Sequence, residues 1–188
     1  MPNMSVRTTE YMEAIDHLPE GATLVFQQFS WSEYERLLED LLGRHRLRVT
    51  YDRGRVEIMS TLSEHEDYSE FIDRLVCAFV DRFDVNLEMR GQTTWRREDL
   101  QRGLEADGCY YVNNAALIIG KRKIDLESDP PPDITLEIDI SNESLSKFPI
   151  YAALKVPEIW RFDGREVHFY ELSAKSSGRL RSAACCQA

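Results

Sequence analysis

Three carboxylates share one parity in the segment DITLEID, at Asp133, Glu137 and Asp139. The apolar residues between them predict a β-strand, in which side chains of equal parity point to one face. Carboxylates that lie together repel one another unless a cation lies between them, and Mg²⁺ or Mn²⁺ prefers such oxygen ligands. The pattern is typical of a metal site, and it also fits an acidic strand face in contact with solvent.

Two further residues are candidates for the same site. A carboxylate at Asp107, just before the apolar segment CYYV, would form a pair of metal ligands with Glu137 if the two strands are neighbours. Lys147 lies ten residues after Glu137, in the first turn of a predicted short helix. From there its ammonium group can reach a metal-bound water or stabilise charge that develops on a phosphate. Taken alone, Asp107 also fits a turn residue and Lys147 a surface lysine.

Glu64 and His65 form a third candidate group, in the polar segment before a predicted helix. His65 is either a ligand or an ordinary polar residue at the start of that helix. The sequence contains no G-x-x-x-x-G-K-[ST] phosphate loop, no G-x-G-x-x-G loop and no H-E-x-x-H or G-x-S-x-G motif. Kinase, dinucleotide-binding, zinc-protease and serine-hydrolase functions therefore have no support.

The candidate residues depend on a scaffold of helices and strands. The segment SWSEYERLLEDLLG has apolar residues at helical spacing, begins with a capping box of Ser30 and Glu33, and ends at Gly43. A hairpin is predicted next, from RLRVTYD and RVEIMS around the turn DRG. A second helix follows and ends near Phe83, with an apolar face of Tyr68, Phe71, Ile72, Leu75, Val76 and Phe79.

The second half of the chain is predicted to be mostly strand. NLEMRG and TTWRRED are predicted as strands on either side of a turn at Gly91, and CYYV as another. The prolines of DPPPD fix the backbone and remove amide donors, which predicts a rigid entry to a central strand, ITLEIDIS. A short helix with Pro149 in its first turn and a closing hairpin complete the order. These elements predict a mixed α/β (α+β) fold around one sheet.

Length and composition limit the class of protein. The 188 residues are 43% apolar and 30% charged, which predicts one folded domain. We expect residues 1–173 to form it, with residues 1–20 loosely ordered, and residues 174–188 to form a disordered tail. The sequence has no apolar run of about 18 residues and no secretory signal. It therefore predicts no membrane contact and a cytoplasmic location.

Taken together, these segments resemble the Uma-type restriction endonucleases of the PD-(D/E)XK nuclease superfamily. The resemblance extends from about Ala22 to Leu172 and rests on YDRGRVEIMS followed by EHE, on TTWRREDLQRGLEADGCYYV, on DPPPDITLEIDIS and on KFPIYAALKVPEIWRFDG. It implies a restriction-endonuclease-like core, in which helices flank a mixed β-sheet. That fold agrees with the order of the predicted elements.

The resemblance also implies a catalytic set. The first acid of the family corresponds to Asp107, which follows Ala106 where many relatives have a proline, and the second acid corresponds to Glu137. Family members commonly supply the lysine from the next helix, four residues before a tyrosine, and Lys147 has this spacing to Tyr151. Asp107 and Glu137 are thus expected to hold Mg²⁺ or Mn²⁺, and Lys147 to position or activate water.

One position departs from the superfamily pattern. Two residues after the second acid, where that pattern has its lysine, this chain has Asp139. Asp139 is therefore a further candidate metal ligand or, alternatively, a partner for Lys147.

The function implied is that of a metal-dependent DNA endonuclease, a Mg²⁺-dependent endodeoxyribonuclease. The alternative is a catalytically inactive nuclease-like module that binds nucleic acid or protein. The presence of all three catalytic residues favours the enzyme, whereas the net charge of −10 argues against tight general binding to DNA. A homodimer is expected, because cutting both strands of a duplex is simplest with two active sites related by a two-fold axis.

Overall fold

Two β-sheets form the framework of the protein in a computed structural model, which describes residues 11–44, 46–140, 147–172 and 180–182. The elements in chain order are α1 (residues 11–16), β1 (Thr23–Phe26), α2 (Trp31–Asp40), β2 (Leu47–Asp52), β3 (Arg55–Ser60), α3 (Ser63–Phe83), β4 (Glu88–Met89), β5 (Thr93–Arg97), β6 (Arg102–Ala106), β7 (Gly108–Tyr111), α4 (Ala115–Ile118), β8 (Ile134–Ile138), α5 (Phe148–Leu154), β9 (Glu158–Phe162), β10 (Val167–Leu172) and β11 (Leu180–Ser182). The mixed α/β class is confirmed.

The first sheet is antiparallel and has the strand order β1-β3-β2-β6-β5. The predicted hairpin forms its centre, and both turn residues, Arg53 and Gly54, have positive φ angles of 47° and 90°, as the tight turn of a hairpin requires. Helix α2 buries Trp31, Tyr34 and Leu37. The predicted capping box is present, because Ser30 and Glu33 each accept a hydrogen bond from the backbone amide of the other.

The second sheet is mixed and has the order β11-β10-β9-β8-β7-β4. Strand β8 is an interior strand, parallel to β9 and antiparallel to β7, so the central strand predicted after the prolines is confirmed. Helix α3 packs on this sheet through Ile72, which joins Tyr110, Leu136 and Ile138 in one apolar cluster. Pro149 lies in the first turn of α5, as predicted.

The chain passes from the first sheet to the second at Asp107, between β6 and β7. The sequence predicts one sheet, and the presence of two is a difference with a simple cause. Alternation identifies the two faces of a strand but not its neighbours. For the same reason the strands on either side of Gly91 are not a hairpin: β4 pairs with β7 in the second sheet, and β5 with β6 in the first.

Both ends of the chain are more structured than the sequence suggests. Residues 11–16, in a segment predicted to be loose, form α1, which buries Tyr11 and Ile15 in the core of the first sheet. Tyr11 and Ile15 are four residues apart, and a single spacing of this kind is too short a pattern to predict a helix. Strand β11, inside the predicted disordered tail, pairs with β10. Backbone pairing needs no apolar alternation, so this short polar strand had no sequence signal. Residues 1–10, 173–179 and 183–188 lie outside the described residues.

No helix in the ranges described combines the length and the apolar character needed to cross a membrane.

Candidate active site

Asp107 lies beside the strand that carries Glu137. Gly108 pairs with Leu136 in the β7–β8 register, so one position further along the same antiparallel register Asp107 is level with Glu137. The amide of Asp107 donates to the carbonyl of Leu136 at 3.2 Å, which continues the ladder by one bond. The sequence analysis expected carboxylates at matched depth on neighbouring strands, and this register brings the two residues to one place.

The carboxylate of Asp107 is buried and held from two directions. Its Oδ1 accepts a hydrogen bond from Nε of Arg48 at 2.9 Å, and its Oδ2 accepts one from the amide of Ile138, also at 2.9 Å. The side chains of Arg48 and Asp107 are only 3% and 2% exposed. Arg48 supplies the positive charge that a buried carboxylate needs, and the amide of Ile138 fixes the carboxylate against β8.

His65, at the start of α3, reaches the same carboxylate. Its Nε2 lies 3.6 Å from Oδ2 of Asp107, and neither ring nitrogen makes a hydrogen bond to any residue in the described ranges. Burial lowers the pKa of His65, although the negative charge of Asp107 opposes that effect. The imidazole is therefore neutral at pH 7 and keeps a free lone pair for a ligand. A buried polar group without a partner is unusual and calls for an explanation.

Glu137 is the centre of the other half of the site. Nζ of Lys147 donates to its Oε2 at 2.6 Å, and the hydroxyl of Tyr151 donates to its Oε1. Burial raises the pKa of Glu137 to about 7, because the nearby charge of Lys147 only partly offsets the loss of solvent and Asp107 adds to the increase. The residue is thus poised to gain or lose a proton near neutral pH.

Lys147 occupies the N-cap position of α5, and its side chain is nearly buried. Burial alone would lower its pKa, but the charges of Glu137 and Asp107 outweigh burial, so the pKa of Lys147 lies above its usual value. Its Nζ also donates to the carbonyl of Glu105 at 3.3 Å. Lys147 is therefore a fixed ammonium group in contact with one carboxylate and under the influence of the second.

Asp139 and Asp133 have other partners. Oδ2 of Asp139 accepts from Nε and Nη2 of Arg161 at 2.8 and 2.5 Å, so Arg161, and not Lys147, is its ion-pair partner. The carboxylate of Asp133 accepts from both the backbone amide and the side chain of Asn114, and so holds the loop after β7. The role of Asp139 as a further metal ligand stays a prediction, and it would compete with Arg161.

Two residues of the site, Arg48 and Tyr151, were not proposed as functional on sequence grounds. Arg48 lies 59 positions before Asp107, and no local pattern connects them. Its position in the strand gave no signal either, because Arg48 alternates with the apolar residues Leu47 and Val49 and so resembles a solvent-facing residue, although the interior positions of β2 are buried on both faces. In the sequence, Tyr151 served only to identify Lys147 by the spacing of four residues between them. That spacing is about one helical turn, so it places both side chains on one side of α5, where they contact Glu137.

The chemical types of these donors fit a hard divalent cation. The two carboxylates supply the oxygen ligands that Mg²⁺ and Mn²⁺ prefer, whereas the imidazole of His65 is a ligand that transition-metal ions accept more readily than Mg²⁺ does. Among the described residues no three His, Cys, Asp or Glu side chains are placed to hold a metal. Glu137 is engaged by Lys147 and Tyr151. Binding would require Glu137 to exchange one of these partners for the cation.

A cavity lies next to the site but does not include it. A groove of about 760 Å³ runs between α2, β5 and residues 122–127. Its lining contains Glu105, whose carbonyl contacts Lys147, but not Asp107, Glu137 or Lys147. We assign the chemistry to the carboxylate pair and not to this groove, since the groove brings together no comparable set of buried charged groups.

Comparison with known proteins identifies the family of the chain. The family model described as Uma2, "Putative restriction endonuclease", matches residues 31–183. The chain belongs to that family, and its mixed α/β fold is consistent with the restriction-endonuclease-like fold of the PD-(D/E)XK nucleases. No curated protein matches the sequence. Family membership places the chain among nuclease-like proteins, which confirms the resemblance seen in the sequence.

Proposed function

We propose that this protein is a metal-dependent endonuclease that hydrolyses phosphodiester bonds in DNA. The observation that carries the proposal is the contact of Lys147 with Glu137 beside the buried carboxylate of Asp107. Two carboxylates with a charged lysine form a set that can bind a cation and stabilise an anionic transition state. For the stability of the fold alone, apolar side chains would serve as well as this charged set.

Asp107 and Glu137 are the proposed ligands of Mg²⁺ or Mn²⁺, with His65 as a donor beside them. A divalent cation held there by Asp107 and Glu137 would polarise the scissile phosphate and lower the pKa of a water molecule. Arg48 and the amide of Ile138 hold the carboxylate of Asp107 in place. Asp139 is proposed as an additional ligand only if it leaves Arg161.

Lys147 is the proposed catalytic cation. Because its pKa lies above the usual value, it is protonated at pH 7 and cannot act as a general base. It can orient a water molecule and offset charge that develops on the phosphate, an interaction that is strongest in the transition state. Tyr151 keeps its proton, because burial and the nearby Glu137 raise its pKa well above its usual value. It therefore donates to Glu137 and orients that carboxylate.

The test is cleavage of plasmid and single-stranded DNA with Mg²⁺ or Mn²⁺, with EDTA as the metal-free control. We expect Asp107→Asn and Glu137→Gln to lose cleavage and cation binding together. Lys147→Met should keep cation binding while cleavage falls roughly a hundredfold or more. Lys155→Met, at the exposed C-terminal end of the same helix, is the matched control and should remain active. Full activity in Lys147→Met would remove that residue from the mechanism.

The second candidate function is a nuclease-like module that binds nucleic acid or protein without cutting. The net charge of −10 argues against tight general binding to DNA, which requires many positive contacts, and so favours protein as the ligand of such a module. A wild-type protein that binds Mn²⁺ but cleaves no DNA would favour this module. We further propose that the protein acts in the cytoplasm and as a homodimer, with one active site for each strand of a duplex.

A further inference from the structure

One face of α3 carries a row of large apolar side chains that are exposed to solvent. The exposed fractions are 36% for Tyr68, 58% for Phe71, 45% for Leu75, 63% for Phe79 and 65% for Phe83. Spacings of three and four residues place these side chains on one broad stripe of the helix surface. Ile72 and Val76, on the adjacent side, pack on the second sheet. We call the five exposed residues the α3 strip.

The α3 strip is about as large as the largest apolar patch on a typical monomer, and such patches are often functional. At about 200 Å² for each large side chain, it exposes roughly 500 Å² of mostly apolar area, whereas a standard interface buries about 800 Å² on each partner. The strip also continues onto the sheet. The ring of Tyr68 lies 4.8 Å from that of Phe162 on β9, next to the half-buried Trp160 and Phe169. The apolar surface open to a partner is therefore larger than the α3 strip alone.

Two opposite charges lie at the two ends of the α3 strip. Glu64 and Arg82 are 18 residues apart, which is five full turns, so they lie on the same line of the helix and about 27 Å apart. Both are exposed, and neither forms an ion pair with another residue among those described. They are too far apart to pair within one chain. Their positions fit a partner surface that has the same two charges in reverse order.

We propose that the α3 strip is the contact surface of a homodimer, in which the α3 helices of two copies pack antiparallel about a two-fold axis. Positions whose numbers add up to about 146 then face each other. Phe71 faces Leu75 of the other copy, Tyr68 faces Phe79, and Glu64 faces Arg82. Every contact occurs twice because the interface is isologous. The apolar centre and the charged ends therefore match without any other partner, and this selects a second copy of the chain as the occupant.

The experiment is a charge exchange, measured by sedimentation equilibrium of the full chain. We expect the wild type to dimerise, and Glu64→Arg and Arg82→Glu each to weaken the dimer by roughly tenfold or more, since each places like charges opposite each other twice. The double variant Glu64→Arg/Arg82→Glu restores opposite charges and should recover wild-type affinity. Leu75→Glu, near the two-fold axis, should weaken the dimer about a hundredfold.

Glu39→Arg, on the exposed side of α2, is the matched control and should leave the dimer unchanged. Circular dichroism of each variant checks that it folds. A wild type that is monomeric at every concentration would overturn the proposal. A double variant as weak as the single variants would also overturn it, and the α3 strip would then be assigned to a different partner or to another part of this chain. The readout is independent of nuclease activity.

Discussion

Nε of Arg48 lies 2.9 Å from Oδ1 of Asp107, and the two side chains are almost completely buried. Arg48 belongs to β2 of the first sheet, whereas Asp107 lies where the chain enters the second. A buried ion pair is sensitive to the loss of either partner, because the remaining charge is left without compensation. The contact therefore connects the stability of the fold to the integrity of the proposed metal site.

Replacing Arg48 with methionine should destabilise the protein by about 3–5 kcal/mol, because the carboxylate of Asp107 is left buried without its cation. The double variant Arg48→Met/Asp107→Asn removes both charges and should regain a large part of this loss. Urea unfolding without metal measures the difference. If Arg48→Met alone were as stable as the wild type, solvent or another cation would be compensating Asp107, and the pair would have no structural role.

His65 is expected to contribute to cation binding. His65→Ala removes the buried imidazole next to Asp107, and the affinity for Mn²⁺ should fall by about 10–100-fold, the range typical of residues in or next to a metal site. Calorimetric titration with Mn²⁺ gives the affinity directly. His168→Ala, a partly exposed histidine paired with Asp163, is the control. Unchanged affinity in His65→Ala would make His65 a packing residue.

The stability of the metal-free protein should depend on pH through Glu137. The pKa of Glu137 is about 7 in the folded protein, whereas its ordinary value is 4.5. Between pH 4.5 and pH 7 the folded state therefore binds more protons than the unfolded state. Its contribution to the free energy of unfolding is therefore present below about pH 4.5 and is lost as the pH rises to about 7.

We compare the wild type with Glu137→Gln/Lys147→Met, which lacks both charges. Relative to this variant, the wild type should lose on the order of 2–3 kcal/mol between about pH 5 and pH 8, because each pH unit between the folded and unfolded pKa values corresponds to about 1.4 kcal/mol. Urea unfolding in EDTA at several pH values gives the difference. A constant difference across this range would show that Glu137 is ionised throughout.

Gly103 on β6 has no room for a side chain. A Cβ atom at this position would overlap the hydroxyl of Tyr34, which is buried and has no hydrogen-bond partner within the described part of the chain. Gly103→Ala should destabilise the fold by about 1–3 kcal/mol. Tyr34→Phe removes the hydroxyl and should restore most of this loss in the double variant. Equal stabilities of Gly103→Ala and the double variant would indicate that the strain lies elsewhere, with Arg96 as the next contact.

Local patterns were sufficient for the parts of the fold whose partners are near in sequence. The capping box of Ser30 and Glu33 and the hairpin turn at Arg53–Gly54 each depend on contacts between neighbours. The assignment of strands to two sheets depends on contacts between distant segments, and a period of two residues contains no information about them. The same limit explains α3, because the apolar positions predict a helix face but not whether the sheet covers all of it.

For the candidate site, the sequence indicated Asp107, Glu137 and Lys147, and the structure brings these three residues together. Lys147 and Glu137 are ten residues apart, and at that separation residue spacing and family resemblance were enough to predict that they belong to one site. Arg48 could not be found in this way. Its partner is 59 residues away, and an arginine within a strand resembles an ordinary surface residue until the opposite sheet is known.

Asp107 lies between β6 and β7 and therefore connects the two sheets. Its backbone continues one sheet into the other, and its carboxylate is bonded to both, through Arg48 on one side and the amide of Ile138 on the other. A rotation of one sheet against the other would therefore strain the contact of Asp107 with Arg48 or with Ile138. The proposed metal site thus lies where the two sheets meet, so a change in the first sheet that moves Arg48 would reach the carboxylate of Asp107.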